Sequence, residues 1–112
     1  MKEKDRTYQM YIDDIIMAID RIFEYTEGYG FVDFKRDYKT VDAVIRNFEI
    51  IGEAAKNVPD EVKEQSPDVP WKEMYSLRNR ISHGYFGIDY EIIWDIIVNY
   101  LPFNKEQILK IQ

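Results

Sequence analysis

Between residues 7 and 26, Tyr8, Tyr11, Ile12, Ile15, Ile16, Ile19, Ile22 and Phe23 recur at alternating spacings of three and four, with acids such as Asp13, Asp14, Asp20 and Glu24 between them. This period predicts a strongly amphipathic first helix, and Gly28 and Gly30 predict its end. The stretch from Gly28 to Tyr38 is aromatic and basic. It reads as a surface connection with Phe31 or Phe34 tucked into the core, a binding role being the second reading. From Thr40 to Asn57, Val41, Val44, Ile45, Phe48, Ile51 and Ala55 form one stripe of a second helix, which Pro59 stops. Its other face is mixed, carrying Arg46, Asn47, Glu49 and Glu53. Gly52 lies inside this helix at a cost of about 1 kcal/mol relative to alanine, which points to a close approach by a neighbour or ligand.

Pro59 to Pro70 is a polar connector with three prolines, expected to hold a short turn of helix. A third helix is predicted from about Trp71 to His83, with Trp71, Met74, Leu77 and Ile81 inward and Gly84 as its stop. Asp89 is placed to cap a fourth helix carrying Ile92, Ile93, Ile96, Ile97 and Leu101, and Pro102 to begin a short final one. No segment alternates like a strand. The pattern predicts an all-α, antiparallel up-and-down bundle of four to five helices, with residues 1–112 forming a single domain.

Composition narrows the function classes. A chain of 112 residues with 46% hydrophobic positions supports one packed core and not two. The absence of cysteine removes disulfides, thiolate nucleophiles and cysteine-ligated zinc, and fits a reducing compartment. No charged-then-apolar leader opens the chain and no apolar run nears the roughly 20 residues of a membrane span, so a cytoplasmic protein is expected. A net charge of −6 weighs against broad, non-specific nucleic-acid binding but leaves room for a local basic groove. Cations do cluster, as Lys35, Arg36 and Lys39 in one segment and Arg78 and Arg80 in another.

The one histidine, His83, stands five residues after Arg78 in Arg78-Asn79-Arg80-Ile81-Ser82-His83-Gly84-Tyr85, which fixes where imidazole chemistry would occur. On a helical wheel Arg78 falls between Met74 and Trp71, within the apolar stripe, where a guanidinium needs a carboxylate, a phosphate or an open groove. Glu49 or Glu53 could supply the carboxylate, which leaves a register-setting ion pair as one reading. Asn79 and His83 are four apart on one face, with Tyr85 just past the helix end. Imidazole exchanges protons near neutral pH and arginine offers a fork for phosphate oxygens, the pair that phosphodiester cleavage by acid/base chemistry requires. On one straight helix the two side chains diverge by about 140°, so a two-fold dimer would bring both chains' groups to one cleft more readily. A single histidine makes zinc improbable, and neither a serine nucleophile pair nor a glycine-rich phosphate loop is present, so no metal or cofactor is expected.

Arg78, the polar Asn79, three further residues and His83 match the R-polar-x3-H motif of the HEPN superfamily, and His83-Gly84-Tyr85 completes the R-x4-H-x-Y form that resembles HepT toxins. The stretch from Asp42 to Ala55 is similar to that family's second helix, and Pro70-Trp71, Gly84-Tyr85-Phe86 and Trp94 fall in family-like positions. The resemblance implies a HEPN-like homodimer acting as a metal-independent ribonuclease, the toxin of a pair whose antitoxin is a minimal nucleotidyltransferase. It implies that Arg78 binds the scissile phosphate, that His83 is the general acid/base and that Asn79 orients one of them. Tyr85 would be the tyrosine that the antitoxin modifies with AMP. Arg46 and Arg80 are expected to flank the RNA groove, with Glu49 and Glu53 nearby. The alternative is a non-catalytic module that binds a nucleotide or presents substrate to a separate nucleotidyltransferase.

Overall fold

The computed structural model describes residues 7–77 and 89–111, and every regular element among them is helical. Helix α1 (Tyr8–Thr26) pairs along its length with α3 (Tyr38–Asn57). Ile12, Ile15, Ile19 and Ile22 of α1 meet Val41, Val44, Phe48, Ile51 and Ala55 of α3, all at most 1% exposed. Each large side chain so buried contributes about 1.5–3 kcal/mol relative to exposure, which makes this pair the foundation of the core. Helix α1 ends where Gly28 takes a φ of +80°, a left-handed conformation that side chains with a Cβ resist.

The expected surface connection between these helices contains a helix, α2 (Phe31–Arg36). The Gly30 amide donates to Asp33 Oδ2 at 2.9 Å, securing the start of α2. Phe34 is fully buried and packs against Trp94 with ring centroids 5.2 Å apart. Six residues are too few to show a period, so the apolar pattern carried no helical signal here. Helix α3 also begins earlier than Thr40, because Asp37 Oδ1 accepts from the Thr40 amide at 3.2 Å and caps the first turn.

Helix α4 (Asp60–Gln65) is the short turn expected in the proline-rich connector, and Trp71 Nε1 donates back to the Ser66 carbonyl at 3.1 Å. Helix α5 (Trp71–Tyr75) then buries Met74, with Leu77 buried just beyond it and Trp71 half-buried. The predicted third helix is thus interrupted at Ser76, in a turn after α5, and its part from Arg78 on, Ile81 included, lies outside the described residues.

Asp89 caps α6 (Tyr90–Asp95) through an Oδ1 that accepts from the Ile92 amide at 3.1 Å. The helical run then continues through a wide π turn (Ile96–Tyr100) into α7 (Leu101–Leu109). Leu101 N–H donates to the Ile96 carbonyl, five residues back. Pro102 accounts for the widening: it has no N–H, and its ring collides with the carbonyl four residues earlier in a regular helix. The expected break at Pro102 is therefore a locally widened turn. Ile93, Ile96, Ile97, Leu101 and Ile108 bring this run into the common core, while Ile92 stays half-buried. Half-buried Lys105 reaches the exposed Asp20 across α7 and α1, Nζ to Oδ1 at 2.6 Å. The all-α bundle expected from the pattern is present, with α2 added, and no described helix is long and apolar enough to cross a membrane.

Candidate functional site

Gly52 determines how α5 sits on α3. A Cβ at this position would lie 3.3 Å from the Tyr75 carbonyl oxygen and 3.4 Å from that of Met74. The bare Cα lets the end of α5 lie directly against α3, the close approach that a glycine inside a helix suggested. The chain leaves α5 through the buried Leu77 and returns at the α6 cap, Asp89. Arg78, Asn79, Arg80, His83 and Tyr85 are enclosed between these two anchors in sequence, and all five lie outside the described residues.

The polar positions of α3 divide. Arg46, Glu49 and Glu53 fall within about 60° of one another on the helix, at spacings of three and four. This strip begins roughly 60° around α3 from Gly52, and so runs beside the groove into which α5 docks. Arg46 Nη1 lies 3.8 Å from Glu49 Oε1, with the side chains 70% and 41% exposed. Such a pair is screened by solvent and constrains neither partner strongly. Glu53 is exposed on the same strip.

Asn47 departs from the expected mixed face. It is buried at 4% exposure, Nδ2 donates to the Ala43 carbonyl at 2.9 Å, and Oδ1 has no donor among the described residues. The spacing did carry a signal, since Val44 three residues before and Ile51 four after Asn47 are apolar and place it at the edge of the buried stripe, away from Arg46, Glu49 and Glu53.

A second polar arrangement escaped the pattern entirely. Asp37 accepts from the Tyr29 hydroxyl at 2.6 Å, the Thr40 hydroxyl at 2.7 Å and the Thr40 amide. The bond from Tyr29, then the two from Thr40, hold the Asp37 carboxyl below its ordinary 3.8. The same bond to Asp37 holds the Tyr29 phenol above its ordinary 10.0. The only trace in sequence is an acid three residues before a threonine at a helix start.

Two clefts differ in chemistry. One of about 440 Å³ runs along a single face of α1 among Asp13, Ile16, Met17, Asp20, Arg21 and Glu24, and its excess of carboxylates is hostile to phosphate. The other, about 620 Å³, is lined by Tyr29, Asp33, Arg36, Asp37, Tyr38 and Lys39.

Comparison with known proteins matches residues 15–111 to the family described as Ribonuclease HepT-like. A protein of Methanocaldococcus jannaschii named as an RNase is 43% identical over 111 residues, covering 99% of this chain and 90% of the relative. A protein of Thermococcus cleftensis named for ribonuclease HepT is 41% identical over 107 residues, covering 96% of this chain and 97% of its own. A third, named as an RNase in Caldanaerobacter subterraneus, is 38% identical over 106 residues, 95% of either chain. No solved structure matches.

Proposed function

We propose, for a chain that belongs to the HepT-like ribonuclease family, a metal-independent endoribonuclease toxin with Arg78, Asn79 and His83 as its catalytic set. The single observation carrying the assignment is the Arg78-Asn79-x3-His83 constellation, which holds the only histidine of the chain within the span matched to the family. Arg78 binds a non-bridging oxygen of the scissile phosphate and offsets the charge that grows on it. His83 takes the proton of the RNA 2′-hydroxyl, whose oxygen attacks phosphorus as the bond to the 5′-oxygen breaks. A protonated imidazole returns a proton to that leaving oxygen, so the products are a 2′,3′-cyclic phosphate and a 5′-hydroxyl end. In a two-fold homodimer one copy's imidazole serves as base and the other's as acid, while Asn79 orients Arg78 or His83. Arg46 and Arg80 flank the strand, and Glu49 and Glu53 balance the charge of the arginines.

Tyr85 is the regulatory position in this reading. A minimal nucleotidyltransferase antitoxin transfers AMP from ATP to its phenolic oxygen, releasing pyrophosphate. The added phosphate repels the RNA backbone and the nucleotide fills the cleft. The protein acts in the cytoplasm, on a transfer or messenger RNA.

The test is incubation of total cellular RNA with purified protein, checked by mass to be unmodified, in excess chelator, beside His83→Ala. Discrete fragments with cyclic phosphate ends from the parent alone are expected. Intact RNA in both samples overturns the enzyme and favours the module that binds a nucleotide without turnover. An Arg78→Ala protein with parental melting temperature and no cleavage is expected as well; loss of the fold would instead mark Arg78 as half of a structural ion pair.

A further inference from the structure

The cleft beside the start of α3 combines three features that the catalytic constellation does not use. Lys35, Arg36 and Lys39 place three cations within five residues of a chain whose net charge is −6. All three are exposed, and among the described residues none forms an ion pair with a carboxylate. Tyr38 stands between Arg36 and Lys39 at 70% exposure, so most of its ring is in water.

The two acids of this cleft are occupied locally. Asp37 receives the Tyr29 and Thr40 hydroxyls and the Thr40 amide, and Asp33 receives the Gly30 amide. Both carboxylates keep their charge, and their bonds fix α2 and α3 and hold the backbone that carries Arg36, Tyr38 and Lys39 in one geometry. Lys35 is drawn aside, with Nζ 6.0 Å from the centre of the Phe31 ring. Facing solvent are an aromatic ring flanked by two cations, with the exposed Asp33 at the edge, on a cleft of about 620 Å³. Single-stranded nucleic acids are held by this combination: bases stack on an aromatic face while cations follow the phosphates. Tyr38 is about 12 Å along α3 from Arg46 at 1.5 Å per residue, so the patch is separate from the groove assigned to the scissile phosphate.

We propose that Arg36, Tyr38 and Lys39 form a subsite for single-stranded RNA that holds the substrate away from the cleaved bond; the inference rests on the ribonuclease reading above. One base stacks on Tyr38, and Arg36 and Lys39 each contact a phosphate. The subsite sets affinity for the strand and leaves the chemical step to the histidine-containing segment.

The experiment measures binding of a fluorescein-labelled oligouridylate of about a dozen nucleotides, within the range of single-strand sites, in an inactive His83→Ala background. Tyr38→Ala is expected to weaken binding by about 5- to 150-fold with no change in its salt dependence. The double variant R36E/K39E is expected to weaken it at least about tenfold and to lower the slope of log affinity against log salt by about 1.4, at about 0.7 per phosphate contact. R36Q/K39Q serves if charge reversal perturbs folding, and parental melting temperatures accompany each measurement. Parental affinity and salt slope in these variants overturn the subsite, as does absence of binding by the background protein. The same substitutions in the active protein separate the two readings. Unchanged KM beside robust cleavage removes the subsite alone, whereas intact RNA with the active parent removes the ribonuclease.

Discussion

Replacing Gly52 by alanine sets two effects against each other. The helix gains about 1 kcal/mol in propensity, while a Cβ 3.3 Å from the Tyr75 carbonyl requires α5 to retreat by a few tenths of an ångström. Gly52→Ala is expected to lie within about 1 kcal/mol of the parent in urea unfolding. Gly52→Leu has no such room and is expected to lose at least 1–3 kcal/mol, roughly the cost of overpacking; parental stability in that variant would contradict the close approach. Asn47 is a different case at the same scale. Among the described residues its Oδ1 is buried without a donor, which costs about 1–3 kcal/mol, and its bond to the Ala43 carbonyl contributes about 1 kcal/mol. Asn47→Leu is therefore expected to raise stability by about 1 kcal/mol. A comparable loss would show that Oδ1 is satisfied in solution, for instance by a second copy. The glycine was legible because its propensity cost demands a reason; the asparagine's direction was present in its apolar neighbours Val44 and Ile51, but whether its amide is satisfied depends on what packs over it.

At the scale of elements, the joint between α2 and α3 depends on one carboxylate. Asp37 is lowered from 3.8, so its contribution is fully present above that value and is lost as pH falls through the lower folded value. Tyr29 is raised from 10.0, so its contribution is fully present below that value and is lost as pH rises through the higher folded one. The stability difference between the parent and Asp37→Ala, followed by urea midpoints, is expected to be flat from about pH 5 to 9 and to shrink below about pH 4. A difference that stays constant down to about pH 2 would show that the carboxylate charge is not what the hydroxyls hold. Helices α1 and α3 were readable from spacing, since about 20 residues repeat the period several times. Helix α2 was not, because one buried phenylalanine and a tertiary contact with Trp94 hold six residues that have no stripe of their own.

On the scale of the whole molecule, the buried side chains form one contiguous cluster that joins α1, α2, α3, α5 and the helical run from Tyr90 to Leu109. Residues 1–112 are accordingly expected to unfold as one domain. Trp71 reports on the α4–α5 end and Trp94 on α2 and α6. Single-tryptophan proteins made by Trp71→Phe and Trp94→Phe should give thermal transitions that coincide with each other and with the loss of helical circular dichroism. Two separated transitions would mean that the chain divides into independently stable parts.

The all-helical class, the long helices and the Asp89 cap follow from the order of residues alone, because side-chain period and capping chemistry act over a few adjacent residues. That order also fixes where imidazole chemistry could be, since one histidine leaves one place. Only in the folded chain does Phe34 secure α2, the run continue helical past Pro102, and Gly52 receive backbone carbonyls. There, too, the Asn47 side chain is covered and Asp37 gathers Tyr29 and Thr40. Apart from the Pro102 turn, where continued packing of Leu101 and Ile108 keeps the run helical past a local break, these depend on groups brought together by packing between elements, and the local pattern records the face a helix offers but not the neighbour that covers it.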